Sequence, residues 1–110
     1  VSSSGPVSGS ELFGLATGIR FPIVTVTSTY TASIGDYTIL ANTNTANITV
    51  RIPSASIAME KIYNVKKIHA SNTMIIISDN GTIDGDATKS VTSLYESLTV
   101  HSDGINWHLI

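Results

Sequence analysis

Leu98-Thr-Val-His-Ser-Asp-Gly-Ile-Asn-Trp-His-Leu109 alternates apolar and polar residues on either side of Asp103-Gly104. Asp-Gly tolerates positive φ at both central positions of a two-residue turn, so the pair predicts a β-hairpin centred on it. That centre sets Val100 against Trp107 and Leu98 against Leu109 on one face. On the other it sets His101 against Asn106 and Thr99 against His108. One face is then apolar and the other polar, a sorting that a one-residue slip would destroy. Trp107, the only tryptophan, is therefore expected in the core rather than on a sugar-binding platform.

The same period of two recurs upstream. Residues 47–52 carry Ile48, Val50 and Ile52 on one side and Asn47, Thr49 and Arg51 on the other, the pattern of a half-buried strand. Residues 22–28 and 37–41 read as strands too, and the polar tract 42–46 between 37–41 and 47–52 reads as a hairpin loop. Pro53 has no N–H for a ladder and ends its strand. Residues 54–60 form the one plausible helical piece, a single turn capped by Ser54 and carrying Ala55, Ile57, Ala58 and Met59. Strands follow at 61–68 and 73–78, with Ser71-Asn72 between them. Ile75-Ile76-Ile77 is apolar on both faces and so belongs in the middle of a sheet. Asn80-Gly81 is a further hairpin signal. Short strands at about 8–12-residue spacing predict an all-β fold: a small antiparallel sandwich, barrel or prism-like domain.

Composition agrees with that reading. The chain has 110 residues, enough for one core and too few for two. It holds 15 Ile, 8 Val, 14 Thr and 15 Ser against 6 Leu and 3 Glu. β-branched side chains fit pleated surfaces and lose χ1 freedom in helices. Charged residues make up only 13%, so strand edges have few charges to guard them against pairing, and closure into an oligomer is one way to hide them. Residues 1–20 read as a connector or arm, Ser/Gly-rich at first, and residues 21–110 as a single β-domain. Leu12, Phe13, Leu15 and Ile19 of the arm are expected to lie against a neighbouring subunit. Beginning at Val1, the chain is expected to be part of a longer or processed protein, and no leader peptide is visible.

Several function classes drop out. A net charge of -2 gives no basic face for nucleic acid. No apolar run approaches the length of a membrane-spanning helix. With no cysteine, disulfides, zinc-thiolate sites and cysteine nucleophiles are excluded. There is no G-x-S-x-G, phosphate loop or H-E-x-x-H, so no catalytic residues and no cofactor are expected. Glu60 and Glu96 would form a carboxylate pair only by coincidence of folding. His101 and His108 share a hairpin face and are the candidate metal ligands, but a transition metal needs three or four. The acidic loop from Asp79 to Asp86 has oxygen ligands yet lacks the twelve-residue calcium spacing, and turn chemistry accounts for its Asn, Asp and Gly. Asn47-Ile-Thr49 and Asn80-Gly-Thr82 match the glycosylation sequon as chance matches in an Asn/Thr-rich chain.

A longer string carries a resemblance. Asp36-Tyr-Thr-Ile-Leu40 is followed by Ile48-Thr-Val-Arg-Ile-Pro53, Lys61-Ile-Tyr-Asn-Val-Lys-Lys-Ile68 and Gly81-Thr-Ile-Asp-Gly85. The chain ends Tyr95-Glu-Ser-Leu-Thr-Val-His-Ser-Asp-Gly-Ile-Asn-Trp-His-Leu-Ile110. Over roughly residues 30–110 this resembles the small C-terminal β-domains of phage tail-fibre, tail-spike and neck-appendage proteins. The resemblance implies a trimeric, non-enzymatic module on a virion fibre that registers three chains and in some cases meets a host-surface carbohydrate or protein receptor. His101 and His108 depart from that pattern. The alternative expectation is a carbohydrate-binding module of a larger secreted protein. Oligomeric state separates the two.

Overall fold

A computed structural model describes residues 19–110, and these hold nine strands. They are β1 (Ile23–Val26), β2 (Tyr30–Thr31), β3 (Thr38–Ala41), β4 (Ile48–Ile52), β5 (Ile62–Lys67), β6 (Met74–Ser78), β7 (Thr88–Val91), β8 (Ser97–Ser102) and β9 (Trp107–Leu109). One sheet runs β1-β3-β5-β8-β9 and the other β2-β4-β6-β7. The chain changes sheet at every connection from β1 to β6. Strands adjacent in sequence therefore lie in opposite sheets, and each strand pairs with the next but one. β1, β3 and β5 are mutually parallel, as are β2, β4 and β6. A parallel pair needs a crossover, and here the crossover is a strand of the facing sheet. The result is a flattened coil of stacked turns. Antiparallel β7, β8 and β9 then close it.

The all-β expectation holds, and two sheets face each other, but the arrangement is neither a closed barrel nor purely antiparallel. The tract 42–46 is not a hairpin loop. It is a corner that carries the chain from β3 in one sheet to β4 in the other. Thr43 is buried there and donates its hydroxyl to the Ser71 carbonyl of the corner stacked on it. Asn72 donates its side-chain amide to the Thr43 carbonyl. Side-chain bonds between successive corners thus replace the ladder that a hairpin would have made. Residues 55–60 form consecutive turns and no helix. Ser54 does cap a turn, its hydroxyl oxygen accepting from Ile57 N at 3.4 Å while its carbonyl accepts from Ile57 and Ala58, but Glu60 takes a φ of 66° and halts any helix.

The last hairpin keeps its predicted faces and changes its register. Val100 pairs with Leu109, His101 with His108 and Ser102 with Trp107, a shift of two residues on β9. The loop is 103–106 rather than Asp103-Gly104 alone. The Asp103 carboxylate accepts from the backbone N–H groups of Ile105 and Asn106, both at 2.8 Å, which stabilises the longer loop. Asn106 is also held from outside, its Oδ1 accepting from Thr82 N at 2.9 Å. Asn80-Gly81 lies in the β6–β7 connection, but the tight turn there is Asp84-Gly85, with φ of 49° and 84°, between bridged Ile83 and Asp86.

Inward positions alternate along every long strand. Ile39 and Ala41, Ile48, Val50 and Ile52, Tyr63 and Val65, Met74 and Ile76, Val91, and Val100 fill the space between the sheets. Trp107 is 0% exposed and plugs the closed end. Its ring centroid lies 5.6 Å from that of Tyr63, and its indole N–H donates to the Pro53 carbonyl at 3.2 Å. β6 is an inner strand, as its run of three isoleucines predicts. Lys67 is also fully buried, after Tyr63 and Val65 on the inward side of β5, and donates its ammonium to the His69 carbonyl.

Candidate functional site

The strand directions send the connections to two opposite edges of the molecule. Residues 27–29, 42–47, 68–73 and 92–96 lie along one, and residues 32–37, 53–61, 79–87 and 103–106 along the other. Most of the unusual chemistry gathers on the second edge. Tyr30 donates its hydroxyl to Asp36 at 2.5 Å, and Asp36 also accepts from Ser33 N at 2.9 Å. That hydrogen bond and partial burial push the Tyr30 phenol up to about 12. Tyr63 donates to the Ser33 carbonyl at 2.7 Å. Burial first, and then the nearby Asp36 charge, push its phenol up to about 12 as well. Desolvation lowers the pKa of Lys61, with the Asp36 charge opposing.

Rings and apolar side chains continue from there. The rings of Phe21 and Tyr37 stack with centroids 4.6 Å apart and planes inclined by 31°. The Lys61 ammonium sits 5.8 Å from the Tyr37 centroid and 5.0 Å from that of Tyr63. Next along the edge is the turn at 55–60, whose Met59 lies against Gly104. Phe21, Ile57, Met59 and Ile105 are 59%, 73%, 61% and 75% exposed. This edge offers stacked rings and exposed apolar surface, while the hydroxyls of Tyr30 and Tyr63 are already committed to Asp36 and the Ser33 carbonyl. Of the four tyrosines, Tyr63 is buried, Tyr30 and Tyr37 are half-buried, and Tyr95 is exposed at the opposite edge. A six-residue spacing from Tyr30 to Asp36 has no signature that marks it in advance.

The histidine candidates are brought together, though not as a metal site. His101 and His108 are direct partners across β8 and β9 rather than diagonal neighbours. His108 turns to carboxylates: its Nε2 lies 2.7 Å from Asp103 Oδ2 and its Nδ1 3.9 Å from Asp84 Oδ1. Both acids also serve the backbone, Asp84 accepting from Leu109 N at 3.1 Å. Backbone donation from Asn106, followed by the His108 contact and Ile105 N–H, pulls the Asp103 carboxyl down to about 2. The acidic loop also disperses. Asp79 pairs with Arg51 at 2.9 Å and Asp86 with Lys89 at 2.5 Å, each away from Asp84. Among the described residues no three His, Cys, Asp or Glu side chains converge to hold an ion, and no helix is long and apolar enough to cross a membrane. Of the expected subunit contacts, Leu12, Phe13 and Leu15 lie outside the described residues, and Ile19 is exposed.

No protein-family model matches the chain, and no curated protein matches it.

Proposed function

We propose that the chain is a structural and attachment module of a viral, phage-like fibre, homotrimeric on the virion and without enzymatic activity. The observation that supports this reading is the asymmetry of the coil. At one end β9 is covered by residues 82–84, with Trp107 N–H donating to the Thr82 carbonyl at 2.8 Å and Asp84 N–H to the Trp107 carbonyl at 3.0 Å. At the other end β1 and β2 are outermost strands, with outward N–H and C=O groups that no described strand takes up. A first sheet covered at β9 and outermost at β1 suits the end-piece of an elongated assembly. The string from Asp36 to the terminal Asn106-Trp107, which resembles fibre domains, points the same way. The partners on this reading are two further copies of the chain and a host-surface carbohydrate or protein.

The second reading, a carbohydrate-binding module of a larger secreted protein, draws on the Phe21–Tyr37 stack with Lys61 and Asp36 beside it. Sedimentation equilibrium at micromolar concentration separates the two. The fibre reading expects about three times the chain mass of 11.6 kDa. A monomer that binds glycans would replace it with the second reading.

A further inference from the structure

Five of the ten large apolar side chains exposed among the described residues sit on one edge of the molecule: Phe21, Ile34, Ile57, Met59 and Ile105. The opposite edge carries Leu94 and Tyr95. The five follow the stacking order of the coil. Phe21 and Ile34 belong to the first turn, Ile57 and Met59 to the second, and Ile105 to the closing loop. Contacts join the levels. Phe21 stacks on Tyr37, Lys61 reaches over Tyr37, the Lys61 N–H donates to the Ala58 carbonyl at 2.9 Å, and Met59 lies where a side chain on Gly104 would meet it. The result is a row of exposed apolar side chains along the stacking direction, bridged by Lys61 over Tyr37, with Ile19 also exposed just before it in the chain.

We infer that this stripe is the interface through which copies of the chain assemble side by side, an inference that rests on the homotrimeric reading above. The amount of surface fits. With full areas of roughly 200 Å² per large side chain, the exposures of the five leave about 640 Å² of apolar surface, within the range of a standard interface at ~800 Å² per partner. That is at the upper end of the roughly 300–600 Å² of the largest apolar patch on a typical monomer. The direction fits as well. A rotation axis parallel to the stack sets each level of the stripe beside the same level of the next copy, so the first two turns and the closing loop all contribute and the assembly closes. An axis across the stack would bring only one level into contact.

The experiment compares three proteins by light scattering and circular dichroism at micromolar concentration: the natural chain, the double variant Ile57→Glu/Met59→Glu, and Leu94→Glu on the opposite edge. Both changes on the stripe alter exposed turn residues, so the β-sheet spectrum is expected to persist. The double variant is expected to dissociate, its midpoint concentration rising at least ~100-fold, while Leu94→Glu keeps the natural mass. A double variant with the natural mass overturns the inference and leaves the trimer standing. The same holds if only Leu94→Glu dissociates. A natural chain that is monomeric overturns the trimeric reading itself. A natural dimer that the double variant splits supports the interface and rejects threefold symmetry.

Discussion

Replacing Trp107 by alanine tests how the closed end of the coil is held. The indole is fully buried, packs against Tyr63 and donates to the Pro53 carbonyl at 3.2 Å. An aromatic side chain of this size removes roughly 200 Å² from water, worth about 5 kcal/mol at ~25 cal/mol per Å². Alanine recovers little of that and leaves a cavity, so the packing loss falls in the ~3–5 kcal/mol range of large-to-small aromatic changes. The Pro53 carbonyl also loses a donor, which adds about 1 kcal/mol. Against a total stability of roughly 5–15 kcal/mol, the variant is left marginal. Trp107→Phe keeps most of the ring and loses the N–H, and is expected to cost about 1–3 kcal/mol. The assay is urea unfolding followed by circular dichroism at one fixed protein concentration, because assembly adds to apparent stability by mass action. A cost below about 1 kcal/mol for Trp107→Ala refutes the role given to this side chain. Equal costs for the alanine and phenylalanine variants would refute the division between packing and hydrogen bond.

Other outcomes follow from the same structure. Gly81 has a φ of 91°, and a Cβ there would stand 2.6 Å from the Ile105 carbonyl oxygen, whereas Gly85 at 84° has open space. Gly81→Ala is therefore expected to destabilise by more than the ~1–2 kcal/mol of Gly85→Ala, as read by thermal melting. Lys67→Met conserves volume and removes a buried charge, and it costs the His69 carbonyl its donor, about 1 kcal/mol, because the one Thr43 hydroxyl proton goes to Ser71. Its stability is expected to stay within ~1.5 kcal/mol of the natural chain, while Lys67→Ala costs roughly 2–4 kcal/mol. The Asp103 carboxyl is held below its ordinary 3.8, at about 2, so the stability it contributes is present above 3.8 and lost as pH falls through about 2. A carboxyl NMR titration should place it there, and Asp103→Asn should flatten that acid limb. Tyr30 and Tyr63 are raised from 10.0 to about 12, so their contribution is full below pH 10.0 and lost as pH rises through about 12. Phenolate absorbance should show each step missing in the matching phenylalanine variant.

Which residues face inward was legible in the sequence because period-two alternation depends only on the strand itself. Ile48, Val50, Ile52, Val100 and Trp107 all lie where the alternation put them. Which strands pair was not, because pairing depends on where a corner sends the chain. A polar tract such as 42–46 looks the same whether it closes a hairpin or turns into a second sheet. The coil also lacks an internal repeat to betray it. Thr38 lies fifteen residues after its partner Ile23, but Asn64 lies twenty-six after Thr38. Asp103-Gly104 predicted the tightest turn available, and the side-chain bonds of Asp103 and Asn106 selected a longer one. The shift moved β9 by an even number of residues, so the faces survived although the partners changed. The aromatic edge was illegible for a related reason. Phe21 precedes β1, while Tyr37, Met59 and Ile105 come from three separate connections, and only the stacking of the coil brings them into line.

The covered β9 edge, the outermost β1 and β2 and the apolar stripe all follow from the parallel pairing of strands that are not neighbours in sequence. Backbone NOE contacts in a uniformly labelled sample test this directly. The structure expects contacts linking Thr25 to Leu40 and Leu40 to Lys66, the registered partners in the first sheet. Strong contacts between the α-protons of Ala41 and Asn47, with those links missing, would mean that residues 37–52 form a hairpin after all and would contradict the coil.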